Sequence, residues 1–515
     1  MRKFNLFPLA LAAIAFSACT SEEVAENNPS TGEGTTSYVA VNINSVGTSG
    51  SRADGDYADG SANENKINAV RFYFFTENGE AYNMGTTNYV EKENPTGEGK
   101  LTPNVEKITD AMLVIEGETK TAPHSMIAVV NPATIEEGVL RAKMTKAQVE
   151  AAVAGQNFNA QGADAKDFVM SSSVYSDGTH KVWVADITGH VATDKTTAER
   201  NPVDIYVERV AAKLTSTATG AGQSNKFLVG ETTNGRKVYA VIKGWGLAKE
   251  TTDANLIKKI DATWTDNDLG ITMWNHPAYF RCYWETSRSE MSQGKSYNAY
   301  TSQIGDVYYT NPNTSANTNP QYVATVELQY EDGTKAEICK YKGVEYLSEE
   351  AVKNAILAEN KDYKKHTTTA TGTEITGLTV NDIHFVVTGY QVKAQLEEGV
   401  TVYKGDVNAT AECNENMGKS LAEIRKEGRA YYYTDVAHLG TAKGIVRNHY
   451  YQIDVNSIKG FGTPVYDPNS EFVPVVPEDT QTYLAARINV LSWRIVKQTV
   501  DLGKKSAKPN DTRLY

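Results

Sequence analysis

The chain has 515 residues, 40% of them hydrophobic, and a formal net charge of −12. That length suits two or three domains with real cores, and the acidic balance argues against nucleic acid as a partner. Past residue 19 no apolar run approaches the length needed to cross a membrane.

Residues 1–18 place two basic residues before a short apolar run and small residues, the layout of a signal peptide. The ending FSAC is similar to a bacterial lipobox, whose cysteine becomes the acylated first residue of the mature chain. Lipidation is therefore expected at Cys19, and several acyl chains hold a membrane firmly where one does not. Residues 19–36 read as a lipidated, disordered tether, acidic and with Val24 as the one large apolar residue. Glu22 and Glu23 resemble the acidic signal that directs Bacteroidales lipoproteins to the outer face of the outer membrane.

Residues 37–52 read as one strand and a hinge. Val39, Val41 and Ile43 alternate with Ala40, Asn42 and Asn44, which puts three β-branched residues on one face. The hinge GTSGSR, residues 47–52, is rich in Gly and Ser and open to proteases. No Lys and no other Arg stands between Cys19 and Arg52, so an Arg-specific protease meets its first site there and leaves Ala53 as the new N-terminus. Arg71 lies inside the strand pattern VRFYFF and is expected to be protected.

A first β-sandwich domain is expected over 53–220. It holds strand patterns at 70–75, 111–117 and 125–132, an Asn-Gly turn at Asn78 and Gly79, and a helix over 146–155 capped by Thr145. VDIYVERVAAKLTSTA, residues 203–218, alternates again, and TGAGQSN at 219–225 reads as the domain boundary. A second domain is expected over 225–483. It carries a surface loop NPNTSANTNP at 311–320, a helix at 348–360 capped by Ser348, and strands at 383–394, 430–436 and 448–458. The last segment, 484–515, reads as a strand followed by a polar tail. Strands separated by turns, with few short helices, mean β-sandwiches and not a parallel α/β sheet.

Chemistry is hard to find. There is no nucleophile elbow, phosphate loop or His-Glu-x-x-His pair, so no enzyme, cofactor or metal is expected. DGDYADGSANEN, residues 54–65, fails as a calcium loop, because Ala58 takes a ligand position and Asn65 stands where the bidentate Glu belongs. With Cys19 lipidated, Cys282, Cys339 and Cys413 form an odd, scattered set without metal spacing or a disulfide framework. Gly460 and Gly462 read as turn residues and His449 as a strand residue. Trp183, Trp245, Trp264, Trp274, Trp284 and Trp493 read mainly as core, with an exposed sugar platform as the other use.

Several stretches resemble the Bacteroidales fimbrillin family, the shaft subunits of type V pili, and its short-fimbria major-subunit branch in particular. They are FVMSSSVYS at 168–176, VDIYVERVAAKL at 203–214, IKGWGLAKET at 242–251, WNHPAYFRCYWETS at 274–287, GIVRNHYYQIDVNSIKGFGTPV at 444–465 and INVLSWRIVKQTVDL at 488–502. Cys282 departs from the small polar residue expected there. The resemblance implies two tandem transthyretin-like β-sandwich domains and a chain exported as an outer membrane lipoprotein. An Arg-specific surface protease then cuts behind the first strand. The displaced strand would be 38–46 with Val39, Val41 and Ile43, an edge strand whose loss leaves a groove. The donor would be about 484–502 of another copy, offering Ile488, Val490, Trp493, Ile495, Val496, Val500 and Leu502.

Such a subunit ends in a cell-surface fimbrium, beside anchor and tip subunits, and supports adhesion and biofilm formation. The donor strand has a second possible fate, as the ordinary last strand of its own domain. Two rival functions stay open: an accessory anchor or tip subunit, and a monomeric surface lipoprotein that binds glycans.

Overall fold

The computed structural model describes residues 35–46, 60–95, 105–117, 121–154, 165–172, 175–176, 181–182, 184–258, 294–313, 320–438, 443–474, 483–491 and 496–499. Cys19, Arg52, Ala53, Trp183, Trp264, Trp274, Cys282, Trp284, Trp493, Ile495, Val500 and Leu502 lie outside them. The protein is mainly β, as its alternating patterns predict.

The first unit is built from β1 (Thr35–Val46), β2 (Ala69–Phe75), β3 (Tyr89–Glu93), β4 (Val105–Gly117), β5 (Ser125–Val130), β6 (Met170–Ser172) and β7 (Val203–Arg209). They form one sheet in the order β3-β2-β5-β6-β7-β1-β4, with Ala185–Asp186 added beside β5. Strands β2 and β1 stand four places apart in that order, yet Phe72 and Phe74 share a core with Val39, Leu113 and Ile115. The sheet therefore folds over on itself, and both layers come from one continuous sheet.

The outer face of β2 and β5 presents Tyr73, Phe75, Ile127 and Val129 to Val149 of the helix α1 (Lys146–Glu150). Thr145 and Gln148 close a capping box at its start. The helix is shorter than expected, because Val153–Ala154 leaves it to pair with Ala254–Asn255 of the second unit. A second short helix, α2 (Lys195–Arg200), is capped by Asp194. The Asn-Gly turn forms as read, with Gly79 at φ 78°.

The second unit has two sheets. One runs β11-β8-β14-β16-β17 and the other β9-β10-β12-β13-β15. The strands are β8 (Ala212–Thr217), β9 (Phe227–Glu231), β10 (Lys237–Ala248), β11 (Val307–Thr310), β12 (Gln321–Tyr330), β13 (Arg429–Asp435), β14 (Tyr450–Lys459), β15 (Thr463–Pro464), β16 (Tyr483–Leu491) and β17 (Val496–Thr499). Leu214, Trp245, Tyr322, Leu328, Tyr451 and Ile453 fill the core between them.

Two expectations about the boundary need correction. The stretch 203–218 is two strands: β7 ends at Arg209 in the first sheet, and β8 pairs with β14 of the second unit. The switch falls at Val210 and Ala211, both fully buried. TGAGQSN, read as the boundary, follows a strand that already belongs to the second unit. It forms the 3-10 turn Thr219–Ser224, and a Cβ on Gly220 would stand 1.7 Å from the Asn456 carbonyl. Of the loop at 311–320, residues 314–319 lie outside the described residues; at its start Asn311 and Asn313 are buried, and the Asn313 amide donates to the Ile445 carbonyl at 2.9 Å.

The chain also builds a third core, beyond the two sandwiches expected. Strands β12 and β13 pair directly, with Val326 opposite Ala430, and the chain between them folds as a separate α+β layer. It contains α3 (Glu349–Glu359), α4 (Thr410–Gly418) and the strands Cys339–Tyr341, Val344–Tyr346, Ile383–Thr388, Gln391–Leu396 and Ala422–Ile424. Ser348 caps α3 through the Ala351 amide, Glu349 and Glu350 occupy its first turn, and Val352 and Ile356 are buried, as their spacing predicts.

Cys339 and Cys413 are free thiols inside this layer. Burial pushes both up, Cys413 to about 11. Site-resolved alkylation at pH 8 is expected to leave both unmodified until denaturant unfolds the layer. Rapid labelling of either in the native protein would contradict their burial.

Candidate functional site

The sequence directs attention to the first strand, the segment behind it and the last strands. β1 lies antiparallel to β4 and parallel to β7. Val41 stands between Ala111 and Val203, Asn42 between Asp110 and Asp204, and Ile43 between Thr109 and Ile205. Val39 and Val41 are buried with Leu113, Ile115, Val203, Ile205 and Val207. A loop closes over the start of the strand through paired backbone hydrogen bonds between Tyr38 and Ala192, at 2.8 and 2.9 Å. β1 is therefore an interior strand, which corrects the edge-strand expectation. The fold-over of the sheet places β4 outside it, and β4 pairs with no strand but β1 among the described residues.

The described chain resumes at Gly60, eight residues past Arg52, and at once enters the junction between the two units. Glu64 is fully buried. Its carboxylate accepts from the Tyr309 hydroxyl at 2.6 Å and the Ser61 amide at 2.5 Å, and pairs with Lys213 Nζ at 2.8 Å. Arg209 donates Nε to the Glu64 carbonyl at 2.9 Å, a second nitrogen to Asn65 Oδ1, and Nη1 to Asn448 Oδ1 at 3.2 Å. Arg209 ends β7 of the first unit, while Lys213, Tyr309 and Asn448 belong to the second. Burial alone raises the Glu64 pKa, but Lys213 and the hydrogen bonds outweigh it and hold the carboxyl below its usual range. Nearby, Arg447 donates to the Leu256 and Asn255 carbonyls at 3.1 and 2.5 Å.

Sequence reasoning missed this cluster. Its partners stand far apart in the chain, and Glu64 looks like any acid of a polar stretch.

At the other end, β16 is antiparallel to β14, with Ile488 opposite Ile453 and Val490 opposite Tyr451. β17 folds back on β16, with Val496 opposite Val490. In this state the described parts of the proposed donor segment, 484–491 and 496–499, form the last strands of their own unit, the second of the two fates open to it.

The remaining candidates among the described residues are structural. Trp245 is fully buried and donates Nε1 to the Gln303 carbonyl at 2.7 Å, so it offers no sugar platform. His449 is buried just ahead of β14, its Nδ1 2.7 Å from the Arg447 carbonyl. Gly460 and Gly462 take positive φ in a turn. Arg71 is held at 2.7 Å to Glu91 and lies over the Tyr89 ring. Among the described residues no group of three or more His, Cys, Asp or Glu is placed to hold a metal. No helix among them is long and apolar enough to cross a membrane.

Residues 426–499, which span β13 to β17, match the family described as "Major fimbrial subunit protein type IV, Fimbrillin, C-terminal". No curated protein matches the chain. Among solved structures, it is similar to a cell-adhesion candidate from Bacteroides eggerthii, with 11% identity and a TM-score of 0.40 over 91% of this chain and 98% of that one. It is similar to a fimbrilin (fimA) from Porphyromonas gingivalis, with 14% identity and a TM-score of 0.36 over 90% and 98%. A third is the tip fimbrial protein Mfa3 of that organism, with 9% identity and a TM-score of 0.32 over 89% and 100%.

Proposed function

We propose that this chain, whose residues 426–499 belong to the fimbrillin family, is a shaft subunit of a fimbrium polymerised by strand exchange. It is exported as a lipoprotein through Cys19 and cut after Arg52 by an Arg-specific surface protease. The observation that carries this reading is the place of β1, an interior strand just ahead of the Gly/Ser hinge. Loss of an interior strand leaves unpaired N–H and C=O rows on both sides of a slot, and buried rows of that kind must be met. A strand from a second copy restores both ladders, the β-augmentation mode of recognition.

Each buried apolar side chain adds roughly 1.5–3 kcal/mol before ordering costs, so a strand filling three or four positions holds firmly. Since β16 rests on β14 in the uncut chain, a copy must release it before donating it. A head-to-tail contact of this kind does not close, so it builds a filament. Anchor and tip subunits would then end it, and the outer membrane holds the precursor through its lipid. Adhesion and biofilm formation follow from a cell-surface fimbrium.

The test uses protein without residues 1–19 and a limiting Arg-specific protease. The expected result is a new N-terminus at Ala53, an intact Arg71, and a multimer ladder in unboiled denaturing gels. The ladder should vanish when residues 484–515 are deleted. A processed monomer that binds oligosaccharide would overturn the shaft reading in favour of a glycan-binding lipoprotein.

A further inference from the structure

We infer that the donated strand enters the slot with Ile488, Asn489 and Val490 at the positions of Val41, Asn42 and Ile43, running in the same direction as β1. The inference rests on the proposed strand exchange and names the residues of the second copy that perform it. Both segments place two β-branched residues around an asparagine.

In β1 the first of these stands opposite Ala111 and Val203, and the last opposite Thr109 and Ile205. In β16 the same run already sits in a comparable ladder: Ile488 and Val490 are opposite the buried Ile453 and Tyr451, and Asn489 is opposite the half-buried Gln452. A slip by one residue would exchange the faces and bring Asn489 to a core position. In the inferred register Ile488 brings one methylene more than Val41, and Val490 one fewer than Ile43. The volumes nearly cancel, the kind of exchange a core tolerates.

Direction needs a separate argument, because the run reads almost the same backwards. Entry along β1 keeps the long β4 ladder antiparallel, the more stable pairing per residue. It also brings Ala486 to the fully buried Val39 position opposite Leu113. Reversed entry would bring Ser492 there and bury a hydroxyl in an apolar site.

Paired cysteines decide the matter in full chains starting at residue 20 and carrying Cys282→Ser. After cleavage and oxidation, Asp110→Cys with Asn489→Cys, and Met112→Cys with Arg487→Cys, are expected to give covalent ladders in boiled, non-reduced gels. Met112→Cys with Leu491→Cys reports reversed entry, and Met112→Cys with Asn489→Cys reports a two-residue slip. Both should give ladders roughly tenfold weaker, because a disulfide needs Cα atoms within about 7 Å.

Asp204→Cys with Asn489→Cys repeats the register test from β7 should the β4 variants fail to fold. Dominance of either control pair overturns the register or direction while strand exchange stands. Heat-labile multimers with no covalent ladder place the donor in another segment and overturn the inference. If no multimers form in the unsubstituted protein, strand exchange itself fails.

Discussion

Glu64→Ala is expected to destabilise the protein by about 3–5 kcal/mol, the cost of removing one partner from a buried ion pair. The lower end applies, because the Lys213 side chain keeps 15% of its surface exposed and regains some water. The Arg209 bond to the Glu64 carbonyl survives the change, so the loss reports the carboxylate and its bonds to Lys213, Tyr309 and Ser61. The effect depends on pH in a definite direction. The folded pKa of Glu64 is depressed, so its contribution is full above the unfolded value of about 4.3. It fades as pH falls from there through the lower folded value. Denaturant titrations of the wild type and Glu64→Ala should therefore differ widely at pH 7 and converge in strong acid. Equal midpoints at pH 7 would show that the cluster does not hold the junction together.

A chain trimmed to residues 53–483 should lose amide protection in β4 by about a hundredfold or more. Val39 and Val41 are fully buried against β4 and β7. At roughly 1.5–3 kcal/mol for each buried side chain, their loss removes about 3–6 kcal/mol from the site. Set against a net stability of about 5–15 kcal/mol for a whole domain, that is a large fraction. β4 bears it most directly, since β1 is its one sheet partner among the described residues. Hydrogen exchange of residues 105–117 measures the loss, with β2 and β5 as internal controls. Adding peptide 35–52, or peptide 484–502, should restore protection. Unchanged protection in the trimmed chain would mean that something other than β1 holds β4.

Much of the fold was legible because strands and caps are written locally. The alternation at Val39, Val41 and Ile43, the Thr145 and Ser348 caps, and the 352–356 spacing each depend on side chains a few residues apart. The boundary at Val210 and Ala211 was not legible. β7 and β8 alternate alike, and which sheet takes each depends on partners far away, such as Tyr450 for Lys213. The α+β layer between β12 and β13 escaped for a similar reason. Its strands are short, and its core forms only when Cys339, Ile383 and Met417 are brought together.

Local pattern alone places a strand, a Gly/Ser run and an arginine in that order near the front, and an apolar strand near the end. Those properties are local, set by side-chain period and backbone freedom. It takes the folded chain to make the first strand interior, to leave β4 with β1 as its one sheet partner among the described residues, and to close the junction with Glu64, Lys213 and Tyr309. Pairing and buried charge are settled between distant parts of the chain, where loop closure, register and desolvation decide the outcome together.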